Sequence, residues 1–203
     1  MLNIAVFVSG RGSNLRAIHT AIEDGRLQAS ITLVVTSRDR AGAAEWAEAE
    51  GIPVLSVHHV QPSEVAKVLL EALGQHQANF IALAGFLKLI PSEVVAAFRN
   101  RILNVHPALL PAFGGTGMYG HHVHEAVIAS GAKVSGATVH LVDEEYDRGP
   151  IVAQRCVPVQ DDDTADDLAA RVLEIEHSIF PEALELFAQN RIFVRDRRVF
   201  VIK

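Results

Sequence analysis

Thiols are nearly missing from this chain of 203 residues, in which Cys156 is the only cysteine. That excludes an internal disulfide framework and a thiolate zinc site, and it suits a reducing cytoplasm. No apolar run approaches the roughly 20 residues needed to cross a bilayer, so a membrane is not an expected partner. Positive charge is in deficit: the formal net charge is −6, which argues against non-specific nucleic-acid binding. The opening residues Met1 to Val8 lack a basic stretch and a small-residue cleavage site, and are expected to form a strand rather than a leader. What is present is ordinary for a globular protein. Hydrophobic residues make up 49% and charged residues 21%, too apolar a balance for disorder. The length is enough to bury a core without metal or disulfide staples, and a single domain over 1–203 is expected.

Continuous apolar character over Asn3 to Ser9 predicts a buried parallel strand. The glycine-rich turn Ser9-Gly10-Arg11-Gly12-Ser13-Asn14 follows, then a helix with Leu15, Ile18 and Ile22 on one face, ended by Gly25. Ile31 to Thr36, Pro53 to Val57, Phe80 to Ala84 and Ile102 to Val105 predict four further strands. Helices are expected between them, from about Ala41, from Pro62 and from near Pro91. This alternation predicts a wound, mostly parallel α/β sheet flanked by helices. The second half differs. Lys133 to Val142 and Ile151 to Val159 read as an antiparallel pair joined by an acidic turn. Thr164 and Asp167 predict a capping box at the start of a helix with Leu168, Val172, Ile175 and Ile179 on its buried side. Residues 191–202 predict a small hairpin around Asp196.

Five segments are candidates for chemistry. Gly10 and Gly12 let backbone approach a ligand, and Ser13 and Asn14 add donors at a helix N-terminus, which suits a phosphate. Leu15 replaces the third glycine of a dinucleotide fingerprint, and the second strand ends in Thr36-Ser37-Arg38 with no acidic residue immediately positioned for a ribose, so a monophosphate fits better than NAD. A tight turn that simply needs its glycines is the plainer reading. Asn104 and His106 share one side of a strand at its carboxyl end, where an amide and an imidazole can hold an oxyanion and move a proton. Alone, such a pair is more often simply hydrogen-bonded at a strand end. The run Asp143-Glu144-Glu145-Tyr146-Asp147 reads as a solvated turn, or as the source of a carboxylate for a catalytic histidine. His121, His122 and His124 suggest a metal, but their spacing does not bring three rings together, so a loop entering a helix is expected there. Glu176 borders the buried stripe of the last helix, either as a flank carboxylate or within reach of a cleft.

In order and spacing, Val8 to Leu15, Leu83 to Ile90, Asn104-Val105-His106-Pro107 with Leu109-Leu110-Pro111, Gly136 to His140, Asp147 to Ile151 and Glu176 to Pro181 resemble the folate-dependent phosphoribosylglycinamide formyltransferase family over nearly the whole chain. The resemblance implies a formyltransferase fold: a Rossmann-like nucleotide-phosphate half over 1–105 and a folate-cleft half with antiparallel strands over 106–203. It implies that Gly12, Ser13 and Asn14 hold the phosphate of 5′-phosphoribosylglycinamide (GAR) and that Glu176 accepts from its ribose hydroxyls. Leu173 stands where some relatives carry a lysine, so that contact is not carried over. Leu87, Lys88, Leu89 and Ile90 would line one side of the pterin, with Lys88 where relatives often have arginine. Asp143, Glu144, Glu145, Tyr146 and Asp147 would form the other wall, and the Gly114 to Gly120 stretch a flap.

The implied reaction is direct attack by the GAR amine on 10-formyltetrahydrofolate, without a metal, by a cytoplasmic protein that is a monomer or homodimer. Asn104 and a charged His106 would donate to the oxyanion, with Asp147 raising the histidine's pKa. The alternatives are a formyltetrahydrofolate hydrolase and a non-catalytic nucleotide-binding module.

Overall fold

Strands buried on both faces organise the computed structural model, which describes residues 1–39 and 41–202. The elements run β1 (Leu2–Val8), α1 (Ser13–Glu23), β2 (Ala29–Thr36), α2 (Gly42–Ala49), β3 (Val54–Ser56), α3 (Val65–Gln75), β4 (Phe80–Leu83) and α4 (Ser92–Ala97). They continue with β5 (Ile102–His106), α5 (His121–Ser130), β6 (Val134–Leu141), β7 (Ile151–Pro158), α6 (Ala165–Ala188), β8 (Ile192–Arg195) and β9 (Arg198–Val201). One seven-stranded sheet has the order β3-β2-β1-β4-β5-β6-β7. β1 to β5 pair in parallel, while β6 and β7 run antiparallel to their neighbours. The expected wound sheet with an antiparallel C-terminal pair is therefore present.

Period-two alternation splits the core into two layers. Ile4, Val6 and Val8 face one side with Leu15, Ile18, Val172 and Phe180, where α1, α2 and α6 pack. Ala5 and Phe7 face the other with Leu69, Leu73 and Val94 from α3 and α4. Two local expectations are refined. Residues 62–64 form a separate turn, with the Glu64 N–H bonded to the Gln61 carbonyl, so α3 begins at Val65 and not at Pro62. The capping box at Thr164 is formed, its hydroxyl accepting from the Asp167 N–H.

The strand order reverses between β1 and β4, where each connection leaves on a different side. In a wound sheet this is where the carboxyl ends of strands leave a crevice. The turns after β1 and β4 meet there: the Ser9 N–H donates to the Gly85 carbonyl, and the Leu87 N–H donates to the Ser9 hydroxyl at 2.9 Å.

Candidate active site

The crevice holds two adjoining cavities that share Gly85, Val105, Pro107 and Gly120. One, of about 560 Å³, is lined by Arg11, Gly12, Ser13, Asn14, His121, His124, Leu173 and Glu176. Its floor is the entry to α1. Gly12 caps this helix with φ +80°, a left-handed backbone that glycine adopts freely, and an added Cβ would lie 2.7 Å from the Ala43 Cβ. No side chain caps the first turn, so its N–H groups face the cavity as an anion site.

Asn14 lines the same cavity and ties one side-chain N–H to Glu176. Its Nδ2 donates to Glu176 Oε2 at 2.6 Å, and its Oδ1 is buried without a partner among the described residues. Glu176 is 8% exposed, and burial pushes its carboxyl up to about 7 against the lowering effect of the Asn14 hydrogen bond. A buried carboxylate at the cavity wall, reached by a single donor, has lone pairs left for hydroxyl groups.

The second cavity, of about 400 Å³, is lined on one side by Leu87, Lys88, Leu89 and Ile90 and on the other by Asp143, Glu145, Tyr146 and Asp147. Leu87 and Leu89 are exposed apolar side chains on its rim. Lys88 Nζ lies 3.5 Å from the Val57 carbonyl, so its charge is not spent on an acid. Residues 115–120 close a third side, which is where the expected flap segment sits. Glu144 is the exception to the expected wall: it is exposed and does not line the cavity. The Asp143 carboxylate accepts the Glu145 N–H at 3.0 Å, and this turn sends the intervening side chain to solvent.

Asn104 and His106 both line this cavity, as strand periodicity predicts. The antiparallel register puts His140 of β6 opposite Asn104. The His140 Nδ1–H donates to the Leu141 carbonyl at 2.9 Å, which leaves Nε2 to accept from Asn104 Nδ2 at 3.0 Å. Asn104 is thus oriented by one N–H and keeps the other for a guest. Asp147 stands between the two histidines, 3.6 Å from His106 Nδ1 and 3.6 Å from His140 Nε2. Its Oδ2 accepts the Gly115 N–H at 2.9 Å. Burial pushes Asp147 up, but His140 and His106 in their protonated forms and the Gly115 N–H hold it below the usual carboxylate range.

The pKa of His106 shifts in the direction opposite to the expectation. Its Nε2–H donates to the Phe113 carbonyl at 2.8 Å and the ring is 3% exposed. Burial lowers its pKa more than Asp147 and the Phe113 carbonyl raise it, with His140 adding to the decrease. The carboxylate at 3.6 Å is beyond hydrogen-bond reach and already committed to Gly115, so its pull is too weak to offset desolvation.

The histidines of α5 separate as expected. His121 faces Glu125 and Asp166, His122 faces Glu125 and packs edge-on against Tyr119, and His124 turns inward. Burial, with the charges of His121 and His106, pushes His124 down to about 4. Among the described residues no group of three His, Cys, Asp or Glu is gathered so as to hold a metal ion. His140 and Phe113 are among the site residues to which the sequence gives no role, as is Arg11. The signal for His140 was its place opposite Asn104, readable only once β6 is known to lie antiparallel beside β5.

Comparison with known proteins agrees with this geometry. Residues 2–184 match the family described as formyl transferase. The chain is 48% identical over 203 residues to the chloroplastic phosphoribosylglycinamide formyltransferase of Vigna unguiculata, covering 98% of this chain and 65% of that protein. It is 36% identical over 188 residues to the phosphoribosylglycinamide formyltransferase of Bacillus subtilis, covering 91% of this chain and 94% of the relative. The crystal structure of glycinamide ribonucleotide transformylase 1 from Symbiobacterium toebii superimposes with a TM-score of 0.94 at 37% identity, over 100% of this chain and 95% of that one.

Proposed function

The chain belongs to the formyl transferase family, and from that premise we infer that it moves the formyl group of 10-formyltetrahydrofolate to the amine of GAR, yielding the formylglycinamide ribonucleotide of purine synthesis. One observation carries the reading. An anion-ready helix entry and a buried carboxylate line one cavity, a partly apolar slot lines the next, and Asn104, His106 and Asp147 stand beside their seam. The first cavity suits a phosphorylated ribose: the phosphate on the N–H groups of Gly12, Ser13 and Asn14, and the hydroxyls on Glu176. The second suits a flat heterocycle between Leu87 to Ile90 and the 143–147 wall.

The amine nitrogen attacks the formyl carbon, and the carbonyl electron pair moves onto oxygen. The free N–H of Asn104 donates to that oxyanion; such a donor lowers the barrier by about 2.7–4 kcal/mol. His106, neutral through burial, takes the proton that the amine must lose. The imidazolium so formed sits beside the Asp147 carboxylate, which stabilises its charge. The tetrahedral intermediate then collapses, the bond from carbon to the folate nitrogen breaks, and His106 returns the proton to that nitrogen. No covalent enzyme intermediate is required, because a free amine is already a nucleophile.

A coupled assay supplying GAR and 10-formyltetrahydrofolate tests the reading. The expected result is folate release that depends on GAR and matches formylglycinamide formation one for one. Folate release without GAR identifies a hydrolase instead, and no turnover with bound nucleotide identifies a binding module.

A further inference from the structure

The C-terminal hairpin carries an arginine where its turn favours glycine. Arg195 pairs with Arg198 across β8 and β9, so Asp196 and Arg197 form the two-residue turn. Both have left-handed backbones, with φ of 49° and 60°. Tight hairpins of this kind favour Asn-Gly, because a side chain at the second position is sterically disfavoured. Such a departure from the easy residue is a reason to look for what the side chain does.

Arg197 reaches away from the hairpin. Its Nη2 donates to Asp143 Oδ2 at 3.2 Å and to the carbonyl of Arg148. These two acceptors bracket the segment between β6 and β7 whose Asp143, Glu145, Tyr146 and Asp147 line the second cavity. The Asp143 carboxylate therefore does two things: one oxygen closes the local turn on Glu145, and the other takes the arginine. Just past Arg148, Gly149 packs so closely on Leu141 that an added Cβ would collide with the Leu141 carbonyl. The wall is fixed at its far end by backbone packing and across its span by one guanidinium nitrogen, Nη2, whose N–H groups serve both acceptors.

We propose that Arg197 is a positioning residue for the folate: from outside the cleft it clamps residues 143–148 in the shape that forms the cavity wall. The proposal rests on the assignment of that cavity to 10-formyltetrahydrofolate. It makes the terminal hairpin a part of the co-substrate site.

Arg197→Gly separates the clamp from the turn, since glycine is the residue the left-handed backbone prefers. Steady-state kinetics, thermal melting and calorimetric titration with 10-formyltetrahydrofolate are compared for the wild-type protein, Arg197→Gly and Arg197→Lys. The clamp predicts that Arg197→Gly melts at or above the wild-type temperature. Its folate KM rises about five- to tenfold while its GAR KM stays within about twofold, as expected for losing a charge-assisted pair that is part exposed. Amide hydrogen exchange over 143–148 speeds up in the same variant. Arg197→Lys keeps a charged nitrogen on a shorter side chain and recovers part of the folate KM. A wild-type folate KM in an active Arg197→Gly variant overturns the clamp and leaves the function standing. Absence of folate binding by the wild-type protein overturns both.

Discussion

The side-chain amide of Asn14 donates to the carboxylate of Glu176 across 2.6 Å, joining the first turn of α1 to the middle of α6. Two helices that flank the phosphate-side cavity are thereby tied by a buried contact that a ribose would share. The same contact commits one of the two side-chain N–H groups of Asn14.

Glu176→Gln is expected to stabilise the protein in a pH-dependent way. The folded-state pKa is raised to about 7 by burial, above the ordinary value of 4.5. Between those values the unfolded chain binds fewer protons than the folded one, so this carboxyl makes stability fall as pH rises, with the full penalty above pH 7. Removing it gains on the order of 2–3 kcal/mol more at pH 8 than at pH 5. Thermal melts at the two pH values show the difference as several degrees. An equal change at both removes the titrating carboxyl from the account. The GAR KM of the variant rises in the same preparation.

Asp147→Asn lowers the His106 pKa further. Burial already holds that ring below the usual histidine value, and the Asp147 charge is the largest influence in the opposite direction. NMR titration of the ring reads the shift directly. In the activity profile, formyl transfer by the variant falls across the whole neutral range, because the imidazolium formed during the reaction loses its counter-charge. An unchanged His106 titration shows that the carboxylate does not act on the ring.

Arg11 carries the permanent positive charge at the phosphate-side cavity among the described residues that line it, since Leu173 offers none. Arg11→Ala is expected to raise the GAR KM about three- to tenfold and to weaken its dependence on salt, with folate KM unchanged. Kinetics at low and high ionic strength give both numbers. A GAR KM that stays at the wild-type value and keeps its salt dependence removes the arginine from phosphate binding.

Much of this site was legible as local pattern. The Gly10 to Asn14 turn after an apolar run, the Asn104-x-His106 pair on one strand face and the Thr164–Asp167 cap each depend on neighbours in sequence, and each stands where the pattern puts it. What escaped depends on partners far along the chain. His140 gains its role only through the β5–β6 register. The turn closed by Asp143 decides that Glu145 faces the cavity and Glu144 does not. The protonation of His106 is set by the balance of burial against a carboxylate, and burial cannot be read from the motif. Sequence places the groups; packing decides their charge.

The most direct test is the turnover number of Asn104→Ala for formyl transfer with GAR and 10-formyltetrahydrofolate both saturating. The account predicts a fall of about 10²–10³-fold, the cost of losing one oxyanion donor, with both dissociation constants within a few-fold of wild type. Turnover near the wild-type rate would contradict it.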